Sequence, residues 1–166
     1  MSMRPLRILV DTNVWLDQFL PARPHERESR MFIDHAVERG ASLVYAAGSL
    51  KDVFYIIGNE CKRLARGNDG ELAEADALYA QEYAWGCIEA IQNMASPVGM
   101  DLVDIRKASI WRRSNSDFED NLIRAAADRL EADFVVTWDK GMLSKCFVPT
   151  VTPAAALSEL DSWAKL

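Results

Sequence analysis

The chain has 166 residues, is 49% hydrophobic and 27% charged, and carries a formal net charge of −6 at pH 7. These values predict one globular domain over residues 1–166, with enough chain to bury a core. They exclude a generalised polyanion-binding surface, because neutralising phosphates takes Lys and Arg. No apolar run approaches the roughly 18 residues of a membrane span. The opening Met1-Ser2-Met3-Arg4-Pro5 lacks the apolar stretch of a signal peptide, so a cytoplasmic protein without a membrane partner is expected. Cys61, Cys87 and Cys146 are widely spaced and form no CxxC pair. They read as reduced core or helix-face thiols rather than a zinc site or a disulfide framework.

In chain order, residues 7–10 read as a buried strand that ends abruptly at Asp11. A helix follows from Val14 to about Leu20, with Thr12 or Asn13 as its N-cap. Two prolines, Pro21 and Pro24, mark a loop before a second helix over residues 26–39. The apolar stripe of that helix is Met31, Phe32, His35, Ala36 and Val37, with His35 a core histidine rather than a metal ligand. Residues 42–46 form a second strand. Ser49 is the expected N-cap of a third helix, with Asp52 in its first turn. The tract 66–70 breaks that helix, and a long fourth helix runs from about Glu71 to Met94. It carries Leu78, Tyr79, Tyr83, Cys87, Ile88 and Ile91 at helical spacing. Residues 48–95 thus predict a helical hairpin standing out from the sheet.

Residues 100–105 read as a third strand and 107–113 as helical. Ser116 and Glu119 predict a capping box opening a helix that ends near Leu130. A strand over 133–137 leads to Asp139. A loop, a short strand over 148–151 and a terminal helix beginning at Pro153 complete the chain. Alternating short strands and amphipathic helices predict a three-layer α/β/α domain with a central parallel sheet. Right-handed crossovers then bring Asp11 and Asp139 to the same C-terminal edge of that sheet.

Four acids fall where strand ends and helix starts converge: Asp11, Asp52, Asp120 and Asp139. Carboxylates about 5 Å apart repel by roughly 3 kcal/mol per pair at an effective dielectric of 20. Protonation or a divalent cation must offset that repulsion. An oxygen-only donor set suits Mg²⁺ or Mn²⁺, and Thr12, Asn13, Ser49 and Thr137 are placed to orient carboxylates or water. Asp52 and Asp120 also suit helix first turns through the macrodipole alone. Asp17, Asp34, Asp69, Asp76, Asp101, Asp104, Asp128 and Asp133 read as surface, cap or turn residues.

At these residues the chain resembles a known family. Asp11-Thr12-Asn13-Val14 resembles the opening motif of PIN-domain ribonucleases, which include the VapC-type toxins of toxin–antitoxin pairs. Ser49-Leu50-Lys51-Asp52-Val53 resembles the segment of the second family acid, Asp117-Phe118-Glu119-Asp120-Asn121 the third motif, and Val136-Thr137-Trp138-Asp139-Lys140 the fourth. The resemblance implies a PIN-like fold and metal-dependent hydrolysis of RNA phosphodiesters. Asp11, Asp120 and Asp139 would be the metal ligands, with Asp52 catalytic directly or through water and Asp117 supporting. It also implies an antitoxin protein partner and a homodimer. Two departures stand out: Asp52 where the family usually has Glu, and Gly141-Met142-Leu143 where another acid and Phe are common.

Lys62, Arg63, Arg66, Arg106, Lys107, Arg112 and Arg113 are candidates to grip an RNA backbone, against a solvated helix face. Trp111 or Trp138 would stack on a base or pack in the core. Two rival classes stand beside the enzyme. A PIN-like domain with lapsed activity would bind RNA or protein through the same surface, and the shortened Asp52 favours it. A phospho-acceptor receiver domain is disfavoured, because it wants an acid pair at the first strand end and an acceptor at the third.

Overall fold

The computed structural model describes residues 4–67, 70–143 and 148–163. Asp69 and Cys146 lie outside them. Five strands form one all-parallel sheet: β1 (Arg7–Val10), β2 (Ser42–Ala46), β3 (Ser96–Val98), β4 (Phe134–Val136) and β5 (Thr150–Val151), in the order β3-β2-β1-β4-β5. The central strands β1, β2 and β4 are short, largely buried apolar runs, as a sheet covered by helices requires, while the edge strands β3 and β5 are more open. Alternation within each strand splits the core in two. Ile8, Val10, Leu43, Tyr45, Phe134 and Val136 face one layer, while Leu9, Val44 and Val135 face the other.

The first layer holds α1 (Thr12–Phe19), α2 (Glu26–Glu38), α3 (Ser49–Arg66), α4 (Glu74–Met94) and α8 (Pro153–Trp163). Their fully buried side chains include Val14, Trp15, Phe32, Ile33, Val53, Ile57, Ile91 and Leu160. The second layer is thinner. There α6 (Phe118–Arg129) and α7 (Lys140–Leu143) bring Ile123, Ala126, Ala127 and Met142 against the sheet. The alanines let α6 lie close to the strands. The three-layer α/β/α architecture is therefore the one the alternation of elements predicts.

Several local expectations give way. Residues 100–105 are not a strand: α5 spans Leu102–Trp111 and the edge strand β3 lies just before it. Asp101 and Asp104 form a reciprocal capping box that starts α5, and this pairing of two short acids outweighs the apolar run. Pro97 tolerates the strand because β3 is at the sheet edge, where a missing N–H costs no ladder bond. The α3–α4 pair is not simply a protruding hairpin, since Val53, Ile57, Ala84, Cys87, Ile88 and Ile91 belong to the main core. Leu78 and Tyr79 at the start of α4 are instead exposed, as are Met31 and Val37 on α2. The buried face of α2 runs through Phe32, Ile33 and Ala36. His35 sits at its margin, with Nε2 2.9 Å from Asp161 Oδ1. The loop after Asp139 contains α7, a single turn capped by that aspartate.

Asp17 and Asp104 are core acids, not surface ones. Asp17 accepts from Arg23 Nε at 2.5 Å and from Ser29 Oγ at 2.8 Å. Asp104 accepts from Arg129 Nη2 at 2.9 Å and from the Asp101 backbone N–H at 2.9 Å. Each pair offsets the cost of burying a charge. Because Asp104 holds both the α5 cap and the α5–α6 contact, Asp104→Ala is expected to lower stability by about 2 kcal/mol. Urea denaturation measures this, and an unchanged midpoint would contradict the assigned role.

Candidate active site

The C-terminal edge of the sheet opens into a cleft lined by Asp11, Thr12, Asn13, Leu16, Asp52 and Ile56 from one side. Glu119, Asp120, Ile123 and Asp139 line the other. All four strand-end and helix-start acids picked from the sequence are here. Asp11 arrives at the end of β1, in the centre of the sheet, and Asp139 three residues past the end of neighbouring β4. Asp52 comes from the first turn of α3 and Asp120 from the first turn of α6.

Local chemistry explains why these carboxylates face the gap. The N-cap of α1 is Asp11 itself, not Thr12 or Asn13: its Oδ1 accepts the Thr12 N–H at 2.7 Å. Asn13 is thereby freed to stitch β1 to β4. Its Nδ2 donates to Asp11 Oδ2 at 2.7 Å and to Thr137 Oγ1 at 3.0 Å, and its Oδ1 accepts from the Trp138 N–H at 3.1 Å. Thr137, fully buried, donates its hydroxyl to Asp11 Oδ2 at 2.6 Å and accepts the Asp139 N–H at 2.9 Å. One threonine thus couples both strand-end acids.

The α6 cap is likewise displaced by one residue from the expected Ser116. Asp117 is the N-cap, accepting the Asp120 N–H at 3.0 Å. Asn115 Oδ1 accepts the Asp117 N–H, and Asn115 Nδ2 donates to Asp120 Oδ2 at 3.0 Å. The asparagine does the back-bonding that a capping-box acid would do. Neither Glu119 nor Asp120 is spent on the cap, and both carboxylates line the cleft. Glu119 was missed as a site residue because its spacing from Ser116 assigned it to capping. Asn115 was missed because only the shifted cap gives it a partner.

The electrostatics follow from this crowding. Burial above all, with the charges of Asp120 and Asp139 adding to it, pushes the Asp11 carboxyl up to about 6 against the hydrogen bonds from Thr137 and Thr12. Asp120 is also raised, first by burial and then by Asp117 and Asp139, while Asn115 and Arg124 oppose. Glu119 is raised by burial and by Asp52, Asp117 and Asp120. Among the described residues, no lysine or arginine side chain lines the cleft.

Some predicted residues lie elsewhere. Ser49 lines an adjoining cavity, not the acidic cleft. Asp117 supports Asp120 as a cap and does not line the cleft. Lys62 borders a separate hollow between α3 and α4, and Arg63 is paired with Glu60 at 2.6 Å. Arg112 and Arg113 are exposed at the end of α5, on the turn leading to Asn115. Lys51, which was not singled out for this role, reaches Asp52 Oδ1 at 3.5 Å. Trp138 is a packing residue: it stacks on His25 with centroids 3.9 Å apart and donates to Ser29 Oγ at 2.8 Å.

The donor set fits a hard divalent cation. It consists of carboxylates, of which Asp11, Glu119 and Asp120 are raised first by burial and then by neighbouring acids, and it includes the buried Thr12 Oγ1, which has no hydrogen-bond partner among the described residues. Among the described residues no three acidic, histidine or cysteine side chains already form a closed ligand cage. Mg²⁺ does not require one, because it keeps several waters and commonly takes one or two carboxylates plus substrate phosphate oxygens. Asp139 has one oxygen engaged by the Gly141 and Met142 N–H groups, at 2.6 and 3.1 Å. A Cβ at Gly141 would lie 2.9 Å from that oxygen, so glycine there is a steric requirement of the acid's placement rather than a simple loss of a further carboxylate.

A family model described as PIN domain matches residues 7–141. Compared by sequence with functionally curated proteins, the chain matches none. Its fold is similar to that of the Mycobacterium tuberculosis toxin VapC20, described as cleaving the sarcin–ricin loop. The TM-score is 0.59 and identity 9%, over 80% of this chain and 89% of that one. VapBC2 from Rickettsia felis, solved bound to a DNA fragment from its promoter, aligns with a TM-score of 0.60 and 9% identity, over 88% and 97% of the two chains. PAE2754 from Pyrobaculum aerophilum aligns with a TM-score of 0.60 and 12% identity, over 95% and 96%.

Two outcomes follow from the geometry. A carboxyl whose folded value is raised from 3.8 to about 6 binds more protons folded than unfolded between those values. The metal-free protein should therefore lose up to about 3 kcal/mol from this group as pH rises through that window. Thermal melting across pH 4–7 reads it, and the slope should become shallower in Asp11→Asn, leaving the part that Asp120 and Glu119 contribute. Thr137→Val removes the hydroxyl shared by Asp11 and Asp139 and should weaken Mn²⁺ binding 10- to 100-fold. Calorimetric titration checks this, and unchanged affinity would remove Thr137 from the site.

Proposed function

This chain belongs to the PIN-domain family, and from that premise we propose that it is a metal-dependent endoribonuclease, the toxin of a toxin–antitoxin pair. The observation that carries the reading is the convergence of Asp11, Asp52, Asp120 and Asp139 on one cleft that no lysine or arginine among the described residues lines. Asp11, Asp120 and Asp139 would hold Mg²⁺ or Mn²⁺, with Asp52 and Glu119 at the rim. When bound, such an ion lowers the pKa of water and stabilises charge developing on a phosphoryl oxygen.

The chain's own residues do the rest. Thr137, Asn13 and the Thr12 N–H hold Asp11 in one orientation, so little reorganisation is needed when charge arrives. Asn115 and Asp117 do the same for Asp120. The Gly141 and Met142 N–H groups fix Asp139. Asp52, half-buried and bridged to Lys51, is placed to orient water or accept a proton rather than to close the inner ligand set. Lys51 brings a cation to the border of an otherwise acidic cleft, where a substrate phosphate would pass.

The toxin assignment is supported by likeness to VapC20, described as a sarcin–ricin loop cleaving toxin, and to VapBC2. It carries with it an antitoxin protein partner, a homodimer and action in the cytoplasm. No described helix is long and apolar enough to cross a membrane. A binding module with lapsed activity is the second reading, and the observation favouring it is the short reach of Asp52. The two readings separate on cleavage. Wild-type protein should cut total RNA in Mg²⁺ or Mn²⁺ and not in EDTA, while Asp11→Asn should lose at least about 10³-fold in rate with its fold retained by circular dichroism. Cleavage by Asp11→Asn at the wild-type rate would overturn the assignment.

A further inference from the structure

Beside the acidic cleft lies a second cavity of about 230 Å³, lined chiefly by the C-terminal ends of β2 and β3 and one side of α6. It shares Asp52, Glu119 and Ile123 with the cleft, so the two are continuous. Its walls differ in kind. Ala46, Val98, Met100, Leu122, Ile123 and Ala126 make them largely apolar, with Asp104, paired to Arg129, as a further acid among them. The volume falls below the roughly 300 Å³ at which pockets for drug-sized ligands begin, which suits one flat ring system.

Two further features mark one end of this cavity as a place for hydrogen-bond acceptors. The N-cap of α3 is Gly48, which has no side chain, so the first-turn N–H groups receive no capping oxygen. The next residue, Ser49, is 7% exposed, lines the cavity, and its hydroxyl makes no hydrogen bond to any described residue. Its bonding capacity is therefore open to whatever enters the cavity. Lys51 stands at the same helix start.

We propose that this cavity is a nucleobase subsite. It receives one unstacked base of single-stranded RNA flanking the scissile phosphate, with the base lying against the Val98, Met100 and Leu122 walls. Its acceptor atoms take hydrogen bonds from the Ser49 hydroxyl and the uncapped α3 N–H groups. The proposal rests on the ribonuclease reading and adds substrate preference to it. It also separates two tasks, with the acids acting on the backbone and the apolar cavity reading the neighbouring base.

The test uses a short single-stranded RNA containing one cleavage site and a set of the same RNA in which each nucleotide in turn is abasic. Cleavage in Mn²⁺ and fluorescence-anisotropy binding in EDTA are measured for wild type, Ser49→Ala and Gly99→Val. Gly99 lines the cavity, and a Cβ there meets no atom within 4 Å, so the valine fills space without a clash. For wild type, one abasic position next to the cut should lower both kcat/KM and affinity about 10-fold, the value of one stacked base. Gly99→Val should handle the intact RNA as wild type handles that abasic RNA, and should no longer respond to the base. Ser49→Ala should show a smaller loss of the same preference. If wild type binds and cuts RNA with no abasic position mattering, the subsite is overturned and the nuclease reading stands. A base dependence that persists in both variants places base reading elsewhere and also overturns it. If wild type neither binds nor cuts any of these RNAs, the ribonuclease reading fails and the subsite with it.

Discussion

The burial of Asp11 at the end of the central strand is the constraint on which the site depends. A carboxylate at 6% exposure would be intolerable without partners, and the fold supplies three: the Thr12 N–H, the Asn13 amide and the Thr137 hydroxyl. Two of these come from the start of α1 and one from the end of β4. Satisfying the charge therefore also ties together two adjacent strands and the first helix. The same Thr137 hydroxyl accepts the Asp139 N–H, so the second strand-end acid is positioned by the group that holds the first.

The hydrogen bonds do not fully offset burial and repulsion, since Asp11 stays raised to about 6. On the proposed function, relief of this remaining cost would favour cation binding. A site whose acids were relaxed in the metal-free protein would have less to gain from a divalent ion. Destabilisation at the functional centre is compensated by the two-faced core, where Trp15, Phe32, Ile57 and Ile91 on one side and Met142 and Leu9 on the other are fully buried. The buried pairs Asp17–Arg23 and Asp104–Arg129 do not line the cleft and take no part in holding its acids.

Function on this reading is divided between neighbouring surfaces of the same sheet edge. The cleft between β1, β4, α3 and α6 is acidic and suits a cation and a phosphodiester. The adjoining cavity between β2, β3 and α6 is apolar, with free donors at the α3 start. Parallel strands make that division possible, because all five end at the same edge and each following loop or helix begins there.

Much of this was legible in the sequence. Strand-like runs ending in Asp11 and Asp139, and helix starts carrying Asp52 and Asp120, were enough to predict a parallel sheet with four acids at one edge. That inference depends only on strand polarity and crossover handedness, which local sequence and general sterics determine. Tertiary structure decided the assignments in which one polar group competes for several partners. Asp11 took the α1 cap and released Asn13 to bridge the strands. Asn115 relieved Asp120 of back-bonding and left Glu119 facing the cleft. Asp101 and Asp104 turned an apolar stretch into α5, with Arg129, 25 residues away, holding the buried acid. Ser49, equally suited by type to a cap or a ligand shell, faces the neighbouring cavity. Such choices turn on energy differences of a kcal/mol or so between alternative hydrogen bonds, and the competing partners meet only once the chain has folded.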